Sequence, residues 1–281
     1  MTGARIDAHH HVWDLGVRDQ PWITDELAPL RRDFGMRDLA PELAGQAIGA
    51  TVVVQTGSVA AETRELLVLS AEDDVVAGVV GWVELTAADV GEQLAVLREA
   101  PGGAHLVGIR HAVQAEPDPD WLTRADVRRG LGAVADAGLA YDLLTLPHQL
   151  PAAIRTAAAL PEARFVLDHL GKPPIASGRR EPWASAIREL ARHENVSCKL
   201  SGMVTEADWA DWSISDLRPY ADVVLEAFGP GRVLFGSDWP VCTLAATYAE
   251  VHAAADALTA DLSDAERAAV FGGAARVAYR L

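Results

Sequence analysis

The sequence predicts an α/β protein of the (β/α)₈-barrel class, folded as a single domain over residues 1–281. Eight short apolar segments recur along the chain, segments with helical spacing separate them, and 281 residues is about the length of one such barrel. Most of the apolar segments are nearly continuous runs, which is typical of parallel strands covered on both faces. A doubly wound open sheet is the alternative, but no G-x-G-x-x-G motif follows any predicted strand.

The eight predicted strands follow one another at regular distances. In order they are RIDAHHHVW from Arg5, TVVVQT from Thr51, VVAGVVGWVEL from Val75, LVGIRHAV from Leu106, LAYDLLTL from Leu139, RFVLDHL from Arg164, VSCKLSG from Val196 and RVLFGSDWP from Arg232.

Four of the intervening segments have helical spacing and are rich in good helix formers: ETRELLVLSAED, VGEQLAVLREA, VRRGLGAVADAG and LPAAIRTAAAL. Thr86 is an acceptable N-cap ahead of the second, Gly138 stands where a C′ glycine would end the third, and Pro151 fits the first turn of the fourth. The stretch from Asp14 to Arg37 has no periodicity, so we expect a long loop after the first strand, where loops of barrels commonly carry function.

The composition excludes some classes of partner. A formal net charge of −16 argues against binding nucleic acid or anionic membranes. Cys198 and Cys242 cannot build a disulfide framework, and Cys198 reads as a buried reduced thiol. No leader pattern and no apolar run of membrane-spanning length is visible, so we expect a cytoplasmic protein, and a monomer and a homodimer fit the composition equally.

Polar side chains fall at the carboxyl ends of the predicted strands, where barrel enzymes place their chemistry. In the stretch IDAHHHVWDL, His9 and His11 share one face of the first strand and His10 faces the other way. The remaining residues at or near strand ends are Glu84, Arg110, His111, His169 and Asp238, and Lys199 lies within strand seven. Two residues of this set also fit a purely structural role: Glu84 would cap a helix, and Lys199 would keep its stem in the core and reach solvent. Asp168 is expected to face away from His169 and to have a structural role.

The pattern of H-x-H on strand one, His169 on strand six and Asp238 on strand eight resembles the amidohydrolase superfamily. Within it, the chain is similar to the amidohydrolase-related branch of sugar-lactone hydrolases, which comprises L-fucono- and L-rhamnono-lactonases, with pyrone-dicarboxylate lactonase more distant. The resemblance runs nearly end to end, and its most specific carriers are HLGKP, KLSG and FGSDWP in this order.

The resemblance implies a (β/α)₈ hydrolase with at most one divalent metal ion. Two-metal members of the superfamily bridge their ions with a lysine or an acid from strand four or five, and one-metal members often add a histidine from strand five. Here Asp142 lies in the middle of strand five and His148 comes after it. One zinc-like ion on His9, His11 and Asp238, or no metal at all, fits better, and both possibilities remain open.

Opening a lactone requires an activated water, a polarised carbonyl and a proton for the leaving oxygen. Asp238 is the candidate base, and His9, His11 and His169 would polarise the carbonyl directly or through the ion. Arg110, His111, Glu84 and Lys172 are candidate substrate-binding residues. Trp13 and Trp239 offer flat faces for stacking on a sugar ring, or pack in the core.

The function expected from these residues is hydrolysis of a monosaccharide-derived lactone in carbohydrate catabolism. Because only Arg110 stands clearly at a strand end, a neutral polyol lactone is favoured over a dianionic pyrone. The alternatives are a metal-dependent decarboxylase or amide hydrolase of the same superfamily, and a sugar-binding barrel without turnover.

Overall fold

The computed structural model describes residues 3–281 and contains one sheet of eight parallel strands, hydrogen-bonded in chain order. The segment after the last strand closes the barrel against the first: the Asp238 amide donates to the His9 carbonyl oxygen (2.8 Å), and the His11 amide donates to the Trp239 carbonyl oxygen (2.7 Å). The predicted (β/α)₈ barrel is therefore confirmed. Its strands are β1 Arg5–His10, β2 Ile48–Val54, β3 Val76–Gly81, β4 Leu106–His111, β5 Ala140–Leu143, β6 Arg164–Leu167, β7 Val196–Leu200 and β8 Val233–Phe235.

Helices surround the barrel and close its amino-terminal end. They are α1 Met36–Gly45, α2 Ala60–Glu72, α3 Val90–Glu99, α4 Ala125–Asp136, α5 Leu150–Ala159, α6 Trp183–Leu190, α7 Met203–Glu206, α8 Ile214–Phe228, α9 Tyr248–Leu258, α10 Asp264–Ala268 and α11 Ala274–Tyr279. Across residues 3–281, no helix is both long enough and apolar enough to cross a membrane.

The four helices predicted from the sequence are α2 to α5. Pro151 lies in the first turn of α5, and Gly138 adopts a φ of 71° just after α4, as expected. The N-cap predicted at Thr86 is wrong: α3 begins at Val90, and the Thr86 hydroxyl instead donates to Glu84 Oε1 (2.6 Å). The loop after β1 carries a short 3₁₀ helix, Asp25–Leu30, and ends where α1 begins.

The amino-terminal half of the barrel interior is apolar. Inward-facing side chains of the strands pack there against α11, which plugs the opening with its small residues and Tyr279. Contributors from the strands include Ile6, Ala8, Val52, Val54, Val80, Val166 and Leu234. Burying this apolar surface stabilises the barrel. It leaves the carboxyl ends of the strands as the place where reactive polar side chains lie.

A register shift in β1 turns the histidines toward the barrel axis. Asp7 pairs with Thr51 and His10 pairs with Val53, so β1 contains one more residue than β2 over this span, as in a β-bulge. Ala8 and His9 both face the interior as a result. His10 faces outward, as expected, and its Nε2 lies 3.0 Å from Thr51 Oγ1.

His252, on helix α9, makes the stability of the protein depend on pH. Arg5 Nη1 lies 3.1 Å from His252 Nε2, and because a guanidinium only donates, the ring accepts and is neutral. Burial and the nearby Arg5 lower the pKa of His252 below its usual value of 6.5. A lowered pKa means that the stabilising contribution is present above pH 6.5 and is lost as the pH falls below that value.

We therefore expect His252→Gln, which keeps an acceptor for Arg5, to lose less unfolding free energy than wild type between about pH 7.5 and about pH 5. Urea unfolding at the two pH values measures this difference. Equal losses in the two proteins would contradict the prediction.

Candidate active site

A cavity of about 430 Å³ opens at the carboxyl ends of the strands. Five of the predicted site residues line it: His11, Arg110, His169, Lys172 and Asp238. A larger groove of about 830 Å³ lies outside the barrel, between the loop after β1 and α2. None of its lining residues within the described chain is a histidine, so the smaller cavity is the candidate active site.

Three imidazoles converge on one carboxylate oxygen at the floor of this cavity. Asp238 Oδ1 lies 3.5 Å from His11 Nε2, 3.7 Å from His9 Nε2 and 3.9 Å from His169 Nε2. The rings of His9 and His11 approach each other with 3.1 Å between their Nε2 atoms. The structure thus brings the four predicted catalytic residues together, with His9 directly beneath the cavity surface.

A left-handed turn after β6 presents His169 and Lys172. Four consecutive residues, from His169 to Lys172, have positive φ angles between 50° and 69°. Only Gly171 among them adopts this conformation without steric cost, which is of order 1–2 kcal/mol for each other residue. Trp183 Nε1 stabilises the turn by donating to the Leu170 carbonyl oxygen (2.7 Å), and Ser201 Oγ holds His169 Nδ1 at 2.9 Å. Strain of this kind is concentrated at functional sites.

Electrostatics keep Asp238 ionised beside a neutral His9 and a neutral His169. Burial lowers the pKa of His169 to about 4, partly offset by attraction to Asp238. Burial alone would raise the pKa of Asp238, but its interactions with His169, His11 and Lys172 outweigh the effect of burial, so the pKa is lowered. Burial also lowers the pKa of His9 well below its usual value. At neutral pH the site therefore offers a carboxylate that can accept a proton.

Below the histidines, charged side chains form a buried layer inside the barrel. Arg110 Nη1 donates to Asp168 Oδ2 (3.0 Å), and Lys199 Nζ lies 2.9 Å from Asp168 Oδ1 and 2.6 Å from Asp142 Oδ2. The Tyr279 hydroxyl reaches up from α11 to Asp142, 2.8 Å from its Oδ2. Two expectations fail here: Lys199 is fully buried and does not reach solvent, and Asp168 faces the same interior as His169. β6 ends at Leu167, so the left-handed turn replaces the alternation assumed from the sequence.

Four further predicted residues are not brought into the cavity. His111 follows Arg110 on β4 and so faces the opposite side, where it stacks on Trp121 and its Nε2 lies 2.7 Å from Glu116 Oε1. Glu84 is exposed and binds Thr86. Trp13 and Trp239 are buried in the aromatic packing around Phe34.

Other residues line the cavity that sequence reasoning did not select. Trp22, Trp209 and Glu206 contribute to its wall, with Glu206 Oε1 2.9 Å from Lys172 Nζ. Trp22 lies in the long loop expected to carry function, and Trp209 ends the TEADW stretch that follows KLSG. Their positions depend on how those loops fold over the barrel. The sequence of the loops has no periodic pattern from which this folding could be predicted.

The donor set has the spacing of a metal site. His9, His11 and Asp238 each offer one ligand atom, at mutual distances of 3.1, 3.5 and 3.7 Å. Two ligands about 2.1 Å from a tetrahedral zinc ion are about 3.4 Å apart, so the positions of these three residues fit one ion.

Fold and site together define a (β/α)₈-barrel protein whose His–His–Asp centre lies at the carboxyl mouth of the barrel. The amidohydrolase family model matches residues 6–281, and the chain belongs to this family.

Curated relatives cover the whole chain. An L-fucono-1,5-lactonase of Burkholderia ambifaria is 40% identical over 99% of this chain and 96% of its own. A second L-fucono-1,5-lactonase, of Burkholderia multivorans, is 41% identical over 100% and 97%. A crystal structure of an amidohydrolase from Burkholderia multivorans with bound zinc superposes with a TM-score of 0.94 at 39% identity, covering 99% of this chain and 100% of that one.

Proposed function

We propose that this protein is a sugar-lactone hydrolase, and that a 1,5-lactone of the L-fucono type is its substrate. The observation that carries the proposal is the convergence of His9, His11 and His169 on Asp238 within 3.9 Å at the floor of the cavity. Full-length relatives at 40% and 41% identity are L-fucono-1,5-lactonases, which supports this reading of the site. Decarboxylation, amide hydrolysis and binding without turnover are not favoured, because these relatives open lactones.

The wall of the cavity matches a deoxysugar lactone. Apolar side chains, among them Trp22, Leu27 and Leu144, suit the carbon skeleton and a methyl substituent. Lys172, Glu206 and Thr56 line the same cavity and offer donors and acceptors to ring hydroxyls. Arg110 already pairs with Asp168 below the cavity. The residues that line the cavity therefore include no group of unpaired cations that would bind a substrate with two negative charges.

Hydrolysis would proceed by attack of a water on the lactone carbonyl carbon. Asp238 takes one proton from the water as the new C–O bond forms, and the imidazoles beside it orient the carbonyl and stabilise the oxyanion. The tetrahedral intermediate then breaks its bond to the ring oxygen, which receives the proton from Asp238. The product carboxylic acid releases one proton to solvent at neutral pH.

Metal chemistry would use the same residues. His9, His11 and Asp238 would hold one divalent ion, which supplies Lewis-acid polarisation and a more acidic water when bound.

A pH-indicator assay of L-fucono-1,5-lactone and a panel of other aldonolactones, with and without chelator, tests the proposal. We expect turnover that is fastest with the L-fucono lactone. Failure to open any lactone, with or without added zinc, would contradict it.

Lys172 provides a test of substrate binding that is separate from the chemical step. Its Nζ pairs with Glu206 at 2.9 Å on the cavity wall, and Lys172 is not one of the four residues proposed to act on the reacting bond, so it would bind the substrate and the transition state alike. We expect Lys172→Met to raise KM about tenfold to about a hundredfold and to leave kcat within about threefold, since a hydrogen bond to a charged group contributes about 1.5–3 kcal/mol. Steady-state kinetics measure both constants. Arg188→Met, which removes an exposed cation paired with Glu181, is the control, and an unchanged KM in Lys172→Met would refute the role.

A further inference from the structure

The fully buried Lys199 contacts a catalytic histidine as well as two carboxylates. Its Nζ lies 2.9 Å from His9 Nδ1, 2.6 Å from Asp142 Oδ2 and 2.9 Å from Asp168 Oδ1. Both carboxylates and the lysine have no solvent exposure. Arg110, bound to Asp168, completes a layer of two cations and two anions, so the layer is neutral overall. We call Lys199, Asp142 and Asp168 the Lys199 cluster.

The ammonium group determines where the hydrogen of the His9 ring lies. An ammonium ion has three N–H donors and no lone pair, and three acceptor atoms surround Lys199 Nζ. A hydrogen on His9 Nδ1 would point at another donor only 2.9 Å away. The neutral ring therefore accepts from Lys199 at Nδ1 and carries its hydrogen on Nε2.

The neighbouring ring fits the same direction of donation. His11 Nδ1 lies 2.7 Å from the Val54 carbonyl oxygen, which only accepts, so His11 Nδ1 carries a hydrogen and its Nε2 is left as an acceptor. His9 Nε2 can then donate to His11 Nε2 across 3.1 Å. The chain of donation runs from Lys199 through His9 and His11 to Val54.

Three contacts would oppose this arrangement, and all are longer. Asp238 Oδ1 lies 3.5 Å from His11 Nε2 and would favour a hydrogen there, but His9 Nε2 stands closer to that ring nitrogen, at 3.1 Å. Asp168 Oδ1 lies 3.4 Å from His9 Nδ1 and would favour a hydrogen there, but Lys199 stands closer to both atoms. Arg110 Nη1 lies 3.4 Å from His9 Nε2, but it donates to Asp168 Oδ2 across 3.0 Å. The shorter contacts all place the His9 hydrogen on Nε2.

We propose that Lys199, held by Asp142 and Asp168, is a positioning residue that keeps the hydrogen of His9 on Nε2 and so favours donation to a substrate oxygen over ligation of a metal ion. The proposal deepens the lactonase function proposed above and rests on it for the identity of the oxygen. A metal ion between His9 and His11 needs a lone pair on each Nε2, and His9 lacks one while Lys199 faces its Nδ1. Without Lys199, His9 Nδ1 can donate to Asp168 Oδ1, which is the usual carboxylate–histidine–metal arrangement.

The test compares wild type with the double variant Lys199→Met, Asp142→Asn. The double substitution removes one cation and one anion together, so no unpaired buried charge remains, and the amide that replaces the Asp142 carboxylate can still accept from the Tyr279 hydroxyl. Asp142→Asn alone is the matched control, because it removes the carboxylate but keeps the ammonium at His9. ¹⁵N NMR of histidine-labelled protein, with the His9 signals assigned by their loss in His9→Gln, reports which ring nitrogen carries the hydrogen. Calorimetric titration with zinc alone reports metal affinity.

We expect hydrogen on His9 Nε2 in wild type and in Asp142→Asn, and on Nδ1 in the double variant. Zinc should bind the double variant at least about tenfold more tightly than either of the others. A wild-type His9 with its hydrogen on Nδ1 would overturn the proposal, and this measurement does not need the double variant to fold. Equal zinc affinities of wild type and the double variant would also overturn it. Neither measurement needs a substrate, so a failure here is distinct from a failure of the lactonase assay.

Discussion

Asp238→Asn is expected to lose about a thousandfold in kcat while the protein stays folded. Asp238 is the acceptor on which three imidazole Nε2 atoms converge, and its pKa is lowered, so it is ionised at neutral pH. An amide of the same size cannot take the proton of an attacking water. Asn also tolerates the left-handed conformation that Asp238 adopts, with φ of 57°, so the backbone should be retained.

The control for this substitution is Asp261→Asn, because Asp261 is exposed after α9 and does not line the cavity. The indicator assay gives kcat for both variants, and thermal unfolding verifies that both are folded. If folded Asp238→Asn retained a kcat within about tenfold of wild type, another group would have to be the base, since general-base catalysis contributes about 10²–10⁴-fold.

The barrel and the position of its chemistry could be predicted from the sequence because both follow from simple periodicity. Buried parallel strands are continuous apolar runs, and their carboxyl ends share one mouth. His169 and Asp238 were therefore predictable as soon as the strands were counted.

The parts that the sequence did not reveal depend on local departures from strand alternation. The left-handed turn after β6 puts Asp168 and His169 into the same interior, whereas alternation separates them. Between Arg110 and His111 alternation does hold, which is why only Arg110 reaches the cavity. The Lys199 cluster was missed for another reason: its residues come from β5, from the segment directly after β6 and from β7, and one sequence gives no distance between residues of different strands.

Gly202→Ala is expected to reduce kcat about a hundredfold by displacing His169, a size of effect that follows from about 1 Å of misplacement in an active site. A Cβ at Gly202 would lie 2.6 Å from His169 Nδ1 and 3.0 Å from its Cβ, so the ring or the strand end must move. Ser201, the preceding residue, holds the same Nδ1 at 2.9 Å, and that hydrogen bond would be lost as well.

Gly178→Ala separates this displacement from backbone strain. Gly178 has a φ of 67°, close to the 63° of Gly202, but a Cβ built there meets nothing within 4 Å. Each alanine should cost about 1–2 kcal/mol of stability for its left-handed conformation. Only Gly202→Ala should also lose activity, because only its methyl group contacts a site residue. Urea unfolding and the indicator assay on the two variants measure the two effects independently. If both variants lost stability and kept full activity, the position of His169 would not matter to turnover, and Asp238 would have to work with His9 and His11 alone.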